Sequence, residues 1–136
     1  MIERIGISLD PKLLAQFDRL IEREGYSNRS EAVRDLIRGK LIEQEWAAPE
    51  GETVATVLLV YEHETMELSQ KLTRLEHEEY HWVVAGLHVH MDHENCLEIM
   101  VLRGPGRKIQ KLGERLISTR GVKHGRFVPG TLGSRL

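Results

Sequence analysis

The sequence feature that most constrains the fold is a run of alternating apolar and polar residues over residues 80–102, interrupted once at 92–95. Successive side chains of a strand point to opposite faces, so this run predicts two strands, roughly 81–91 and 96–102, joined by a turn. We expect the apolar set to face the core: Val83, Ala85, Leu87, Val89, Met91, Leu97, Ile99 and Val101. The other face of the hairpin then collects His88, His90, Cys96 and Glu98, pointing away from the core.

Two imidazoles and a thiol on one face of a hairpin are typical of a metal site. A single histidine on a strand is usually a surface residue, but a pair at positions i and i+2 with a cysteine just beyond the turn favours ligation. Nitrogen and thiolate donors suit nickel, copper and zinc, whereas calcium and magnesium prefer oxygen ligands. Three ligands leave a fourth position open, and the pattern alone does not name the metal.

The first 45 residues predict a strand followed by two helices. Residues 2–9 are expected to form the strand, with Arg4, Gly6 and Ser8 on its polar face. Asp10-Pro11 then starts a helix that runs to about Glu24, and the second helix begins near residues 28–31. So short a unit has too little core to fold alone, so we expect two copies to pair their strands as a ribbon. Such a ribbon fits the DNA major groove, although a dimerisation module without a DNA role remains open.

The remainder of the chain predicts an α+β domain in the order β-α-β-β-α-β. Residues 46–52 contain Pro49 and Gly51 and are interpreted as a linker. A strand over 53–61, a helix over 65–75, the hairpin, a helix from Gly104-Pro105 to Gly121 and a strand over 122–128 follow. This is a ferredoxin-like arrangement, whose open sheet face invites a partner subunit. The predicted domains are therefore 1–45, the strand-helix-helix unit, and 53–136, with the linker 46–52 between them.

Composition narrows the functional classes. The net charge is −2, so any contact with DNA must come from local placement of charge. No apolar run is long enough to cross a bilayer, and no signal peptide is recognised, so we expect a cytoplasmic protein without a membrane partner. The single cysteine excludes an intrachain disulfide. There is no phosphate-binding glycine loop or serine-nucleophile elbow, so we do not expect an enzyme.

Four segments together resemble the nickel-responsive transcriptional regulators called NikR: residues 25–32, 61–64, 87–90 and 95–99. The resemblance implies a ribbon-helix-helix domain joined to an ACT-like metal-binding domain, assembled as a homotetramer (a dimer of dimers). It also implies about one square-planar Ni(II) per chain, held by three histidines and one cysteine. By spacing, His88, His90 and Cys96 match the same-chain ligands, and His77 matches a ligand from a neighbouring subunit. The expected function is repression of nickel uptake genes by binding operator DNA, with no other protein partner.

The same resemblance gives expectations for residues around the metal and the DNA. Glu98 is the candidate acceptor for a ligating imidazole, and Tyr61 and His63 are expected nearby. A second, harder cation such as K⁺ is expected at Glu31 and Asp35. The residues expected at DNA phosphates are Ser27, Asn28, Arg29 and Arg34, with Arg4, Gly6 and Ser8 facing the bases. His81, His93 and His124 match no ligand and are expected at the surface.

The chain also departs from relatives at three positions. Gly6 stands where a hydroxyl-bearing ribbon residue is usual, so the operator sequence is expected to differ. Thr65 and Met66 replace basic residues that contact DNA phosphates in some relatives.

Three alternatives stay open at this point. A regulator of the same fold could sense zinc or copper, and an ACT-type sensor of a small molecule would make the histidines incidental. A cupin-like metalloenzyme is suggested by the His-x-His-x3-Glu spacing from His88 to Glu94. It is disfavoured because the second cupin motif is absent and the chain has room for too few strands.

Overall fold

The computed structural model describes residues 1–62, 64, 66–79 and 81–136, and for Met66, Glu67 and Ser69 it describes the backbone alone. The chain divides into two compact units, Met1–Leu41 and Ile42–Leu136. None of the helices in this described part of the chain combines the length and apolar character needed to cross a bilayer.

The N-terminal unit is built on two helices whose ends are fixed by local hydrogen bonds. Helix α1 spans Pro11–Arg23, and the Asp10 carboxylate accepts from the backbone N–H of Lys12 at 2.8 Å. Helix α2 spans Arg29–Ala47, and the Asn28 side chain accepts from the backbone N–H of Glu31 at 2.9 Å. Between them Gly25 has a φ of +82°, a conformation that favours glycine and ends α1. The predicted helix starts are confirmed.

Residues 1–10, which include the predicted strand over 2–9, belong to no regular element of the single chain. All four strands of the described sheet come from the C-terminal unit, so this segment has no ladder partner within the chain. Its apolar side chains are exposed, Ile5 by 76%. A lone strand leaves its backbone groups unpaired, so a ribbon here requires a second chain.

The C-terminal unit is a four-stranded antiparallel sheet in the order β2-β3-β1-β4. Its elements are β1 Glu52–Glu62, α3 Met66–Glu78, β2 Val83–His90, β3 Asn95–Pro105, α4 Gly106–Ile117 and β4 Val122–Pro129. The predicted β-α-β-β-α-β order is confirmed. Thr65, with which the helix was predicted to start, lies outside the described residues.

The core lies between one face of the sheet and the two helices. Strand β1 alternates strictly between buried and half-buried residues, because only one of its faces is covered by helices. The side chains that fill this core come from β1, α3, β3 and α4 and include Val57, Leu59, Leu68, Leu72, Met100, Leu102, Ile109 and Leu116.

The prediction of which hairpin face meets the core is wrong. In the β2–β3 pairing His88 lies opposite Glu98 and His90 opposite Cys96, on the same face as the buried Met100 and Leu102. The ligand-type side chains therefore lie at the end of the helix-covered face. The predicted core set instead lies on the uncovered face: Leu87, Val89, Leu97, Ile99 and Val101. Alternation identifies which residues share a face, but both faces of β3 are apolar, so it cannot identify which face the helices cover.

One register and two element boundaries also differ from prediction. A register shift between Val83 and Ala85 puts these two residues on opposite faces. Pro105 caps α4, which agrees with a helix start at this point, but β3 also continues through Pro105, beyond its predicted end at residue 102. Helix α2 continues to Ala47, and Trp46 in its last turn donates to the Gly130 carbonyl at 2.9 Å.

Candidate metal centre

The ends of β2 and β3 bring together the side chains of His88, His90 and Cys96. One ligand atom from each residue lies within 4.8 Å of the other two. Among the described residues, no other group of three His, Cys, Asp or Glu side chains is close enough to hold a metal ion. The Cys96 sulfur is 3.6 Å from His90 Nδ1, and the two imidazole centroids are 4.9 Å apart. The three donors are therefore close enough to share one ion after small rotations of the side chains.

Burial differs sharply within this group of three. Cys96 is fully buried, while both histidines are exposed. Burial raises the pKa of the Cys96 thiol, and the carboxylates of Glu98 and Asp92 raise it further. Metal binding at Cys96 would therefore displace the thiol proton. Two imidazoles and one thiolate fit a borderline metal such as nickel, copper or zinc and do not fit calcium or magnesium.

The turn between β2 and β3 is fixed by Asp92. Its carboxylate accepts from the backbone N–H groups of Glu94 at 2.8 Å and Asn95 at 2.7 Å, and from the Asn95 side chain. These hydrogen bonds lower the pKa of Asp92. Lys123 of β4 donates to the Asn95 side-chain oxygen at 2.8 Å and pairs with Glu62 at 3.0 Å. The turn therefore holds the strand register that sets His90 opposite Cys96.

Tyr61 and Glu98 lie beside the histidines, as expected. The Tyr61 hydroxyl donates to Glu98 Oε2 at 2.7 Å and is 3.4 Å from His88 Nδ1. Burial and this hydrogen bond raise the pKa of Tyr61, so the phenol stays protonated. His63, the third residue expected here, lies outside the described residues.

Glu76 is a residue that the sequence analysis missed. It lies on α3 and is half-buried. Burial raises the pKa of Glu76, and the nearby carboxyl group of Glu98 adds to the effect. Its Oε1 is buried without a hydrogen-bond partner among the described residues. The available signal was position, since residue 76 follows Leu72 by four and so lies on the inward face of the helix.

His77 is exposed and does not belong to the group of three within its own chain. It lies in the last turn of α3, next to Glu76. His81, His93 and His124 are exposed, as predicted, and the ring of His81 packs at 4.2 Å from that of Trp82.

The residues expected to contact DNA lie in the N-terminal unit and are exposed. Arg4, Gly6 and Ser8 lie in the segment that precedes α1. Ser27 immediately precedes Asn28, whose side chain caps α2.

Two of the expected phosphate contacts are already paired with acids of this unit. The Arg29 guanidinium donates two hydrogen bonds, both 2.9 Å, to the Asp18 carboxylate. Arg34 pairs with Glu31 at 2.8 Å.

The two carboxylates expected at a second cation are also engaged. Glu31 is paired with Arg34, while Asp35 accepts from the Tyr26 hydroxyl at 2.7 Å and lies 3.6 Å from Arg38. The structure does not gather them with a third His, Cys, Asp or Glu ligand in the part of the chain it describes.

Comparison with known proteins gives a consistent result for both halves of the chain. Residues 54–129 match the NikR C-terminal nickel-binding domain, and residues 3–44 match the ribbon-helix-helix proteins of the copG family. A protein of Geobacter metallireducens named "Putative nickel-responsive regulator" is 54% identical over 133 residues, covering 98% of this chain and 96% of its own. A protein of Anaeromyxobacter dehalogenans (strain 2CP-1) with the same name is 54% identical over 138 residues, covering 100% and 99%.

A solved structure of an uncharacterized protein from Thermotoga maritima superposes with a TM-score of 0.52 and 18% identity. It covers 58% of this chain and 98% of that one, and at this identity the likeness concerns the fold alone. The two domain matches and the full-length relatives go further: the chain belongs to the NikR family of ribbon-helix-helix transcriptional regulators, which are DNA-binding proteins and not enzymes.

Proposed function

We propose that this protein is a nickel-responsive regulator that binds operator DNA and represses nickel uptake genes when Ni(II) is bound. The observation that carries the proposal is the convergence of His88, His90 and Cys96 in a chain that also has a ribbon-helix-helix domain. In this proposal residues 1–45 bind DNA, 53–136 bind metal and assemble the protein, and 46–52 join them.

The proposed fourth ligand is His77 of a neighbouring subunit. Two imidazoles and one thiolate leave one position of a square-planar ion open, and a square-planar nitrogen and sulfur set is typical of Ni(II) or Cu(II). His77 is exposed at the end of α3 and lies outside its own chain's group of three, so it is available to a second copy. Each chain would then hold about one Ni(II), with Glu98 and Tyr61 orienting His88.

Assembly as a homotetramer is proposed on two apolar surfaces. The uncovered face of the sheet carries Leu87, Val89 and Val128 exposed, beside half-buried residues of β1 and β3. The N-terminal unit leaves Ile5, Ile7 and other apolar side chains in solvent. Contiguous apolar patches are typical of interfaces, so one surface would pair the ribbons and the other the C-terminal units.

DNA binding is proposed through the ribbon and the start of α2. The residues proposed to face the bases are Arg4, Gly6 and Ser8. The residues proposed to contact the phosphates, and so to position the protein on the duplex, are Ser27, Asn28, Arg29 and Arg34. The ion pairs of Arg29 and Arg34 are exposed, and exposed pairs contribute little to stability. Each arginine could therefore exchange its carboxylate partner for a DNA phosphate at a small cost in free energy. A second cation such as K⁺ at Glu31 and Asp35 stays a prediction.

Control of DNA binding follows from linkage. When bound, nickel would join His77 of one chain to the hairpin of another and so favour one arrangement of subunits. The gain in DNA affinity cannot exceed the difference in nickel affinity between the two arrangements.

The test is a titration of metal-free protein with NiCl₂, followed by near-ultraviolet absorption. We expect a thiolate-to-metal charge-transfer band that saturates at about one Ni(II) per chain. The band should be lost in Cys96→Ala, altered in His77→Ala and unchanged in the control His93→Ala. A band that is unchanged in Cys96→Ala would refute the proposed site. Operator DNA should bind the nickel-loaded wild type more tightly than the metal-free protein, and a response to ZnCl₂ alone would reassign the metal.

A further inference from the structure

The turn between the two strands that carry the candidate ligands is held by a side chain. Residues 91–95 contain neither glycine nor proline, two of the residues that commonly fix tight turns. The Asp92 carboxylate instead accepts from the backbone N–H groups of Glu94 at 2.8 Å and Asn95 at 2.7 Å. The Asn95 side-chain amide donates to the same carboxylate at 3.0 Å. The shape of this turn therefore depends on one carboxylate.

Asn95 is held from two sides by groups of opposite charge. Its amide nitrogen donates to the Asp92 carboxylate, and its carbonyl oxygen accepts from the Lys123 ammonium at 2.8 Å. A carboxylate only accepts and an ammonium only donates, so these two partners allow one orientation of the amide. Lys123 lies on β4 and also pairs with Glu62 of β1 at 3.0 Å. The turn is thereby tied to two strands that carry none of the three candidate ligands.

The turn decides whether two of the candidate ligands can reach the same ion. His90 and Cys96 form the last pair of the β2–β3 ladder, and the Cys96 sulfur is 3.6 Å from His90 Nδ1. Just beyond this pair, the Met91 N–H donates to the Asn95 carbonyl at 3.0 Å. The end of a ladder opens more readily than its interior. Opening of the turn would therefore separate the imidazole of His90 from the thiol of Cys96.

We propose that Asp92 is a positioning residue: its hydrogen bonds keep the turn closed in metal-free protein and so hold His90 and Cys96 ready for one ion. Asn95 and Lys123 complete this turn clamp from β3 and β4. The apparent affinity for an ion falls in proportion to the fraction of molecules in which the site is formed. The effect on nickel rests on the proposed function, whereas closure of the turn does not.

The experiment compares two substitutions of the same residue. Asp92→Asn removes the charge but keeps an oxygen that accepts from the backbone, whereas Asp92→Ala removes both. His93→Ala is the matched control at the next, exposed position, and Lys123→Met removes the donor from β4. Two quantities are measured: hydrogen exchange of the Met91 amide in metal-free protein, and nickel affinity by competition with a chelator. The Met91 amide reports closure indirectly, because its acceptor is the Asn95 carbonyl and not the substituted carboxylate.

We expect Asp92→Ala to speed exchange at Met91 several-fold and to weaken nickel binding about tenfold, as for the loss of one hydrogen bond to a charged group. Lys123→Met should change both by only about two- to threefold, because its contacts are exposed. Asp92→Asn and His93→Ala should stay near wild type in both quantities. Exchange in the centre of β1 should not change in any of the four variants.

Three results would overturn the proposal. Equal exchange at Met91 in Asp92→Ala and wild type would show that the carboxylate does not hold the turn. An Asp92→Asn variant as weak as Asp92→Ala would assign the effect to charge and not to hydrogen bonding. Faster exchange throughout β1 would show a general loss of stability instead of an open turn. If the wild type itself bound no nickel, the proposed function would fail, while exchange at Met91 would still decide the role of Asp92.

Discussion

The two compact units of this chain bury apolar surface to very different extents. Among the described residues, the N-terminal unit buries only Ile21 and Ala32 of its apolar side chains, whereas thirteen form one continuous core in the C-terminal unit. The N-terminal unit instead exposes large apolar side chains on both helices and on the segment before them. Well-formed helix caps fix its local structure, but local structure does not supply a core.

This difference shows that the two units depend on assembly in different ways. The C-terminal unit has enough buried surface to hold its own fold, and a second copy would add to it. The N-terminal unit, at about 40 residues, falls in the size range where folding usually needs a partner or a cross-link. The effects of substitutions on the free energy of unfolding should therefore differ between the two units, and unfolding of the N-terminal unit should depend on chain concentration.

The largest effect is expected for Leu59→Ala in the centre of β1. Leu59 is fully buried between the sheet and the helices, so truncation removes apolar contacts and leaves a cavity. We expect a loss of about 2–5 kcal/mol in the free energy of unfolding. Chemical denaturation at a fixed chain concentration measures it.

Leu36→Ala is the matched change in the N-terminal unit. Leu36 is 61% exposed in the single chain, so a chain that stays monomeric should lose less than about 0.5 kcal/mol. If a second copy covers Leu36, the loss should be larger, and the unfolding midpoints of wild type and variant should both fall as the protein is diluted. A large loss in a protein whose midpoint does not change with concentration would contradict this account of the N-terminal unit.

A pair of helix glycines gives a sharper contrast, because the same substitution should have opposite signs. A Cβ on Gly113 of α4 would lie 2.4 Å from the ring of Phe127, and that ring is packed against Trp46 at 5.5 Å. Gly113→Ala should therefore destabilise the C-terminal unit by about 1–3 kcal/mol. A Cβ on Gly39 of α2 would meet nothing within 4 Å. Gly39→Ala should stabilise α2 by about 0.5–1 kcal/mol through helix propensity.

Thermal unfolding of the two variants, at two chain concentrations each, measures these effects. Stabilisation by Gly39→Ala would agree with an open position. Destabilisation would mean that another chain approaches α2 at Gly39, which would locate the interface. A neutral Gly113→Ala would show that Phe127 can move and that the packing of α4 on β4 is looser than the geometry indicates.

The sequence predicted both helices of the N-terminal unit and the element order of the C-terminal unit, because capping and alternation are local signals, whereas the strand predicted over 2–9 has no partner in the single chain. Asp10 and Asn28 marked the helix starts, and alternation placed His88, His90 and Cys96 on one face. Which face the helices cover is a tertiary property, and it could not be predicted because β3 is apolar on both sides. The register shift after Val83 leaves no periodic trace in the sequence.

The surroundings of individual side chains could not be predicted from the sequence either. A glutamate in a helix is normally solvated, so Glu76 gave no reason to expect a half-buried carboxyl group whose Oε1 is buried. Arg29 was assigned to phosphate from its position at the start of α2, yet its bidentate partner Asp18 lies eleven residues earlier, on α1. Both features depend on how the helices and strands pack together.

The smallest expected effect concerns the Asp18–Arg29 pair of the N-terminal unit. It compares the two units by the contribution of a charged pair to stability, and not by the burial of apolar side chains. The hydrogen bonds from Arg29 lower the pKa of Asp18 in the folded chain. A group whose folded pKa is depressed contributes stability above its unfolded pKa, and loses that contribution as the pH falls through the folded pKa. The pair is exposed, so the contribution should be small and weakened by salt. An NMR titration of the Asp18 carboxyl should give a midpoint below its ordinary value, shifted upward in Arg29→Lys. Asp18→Asn would also release the Arg29 guanidinium, so it should tighten DNA binding while barely changing the free energy of unfolding. A large loss of stability would instead mean that this pair, like the core of the C-terminal unit, is buried in the assembled protein.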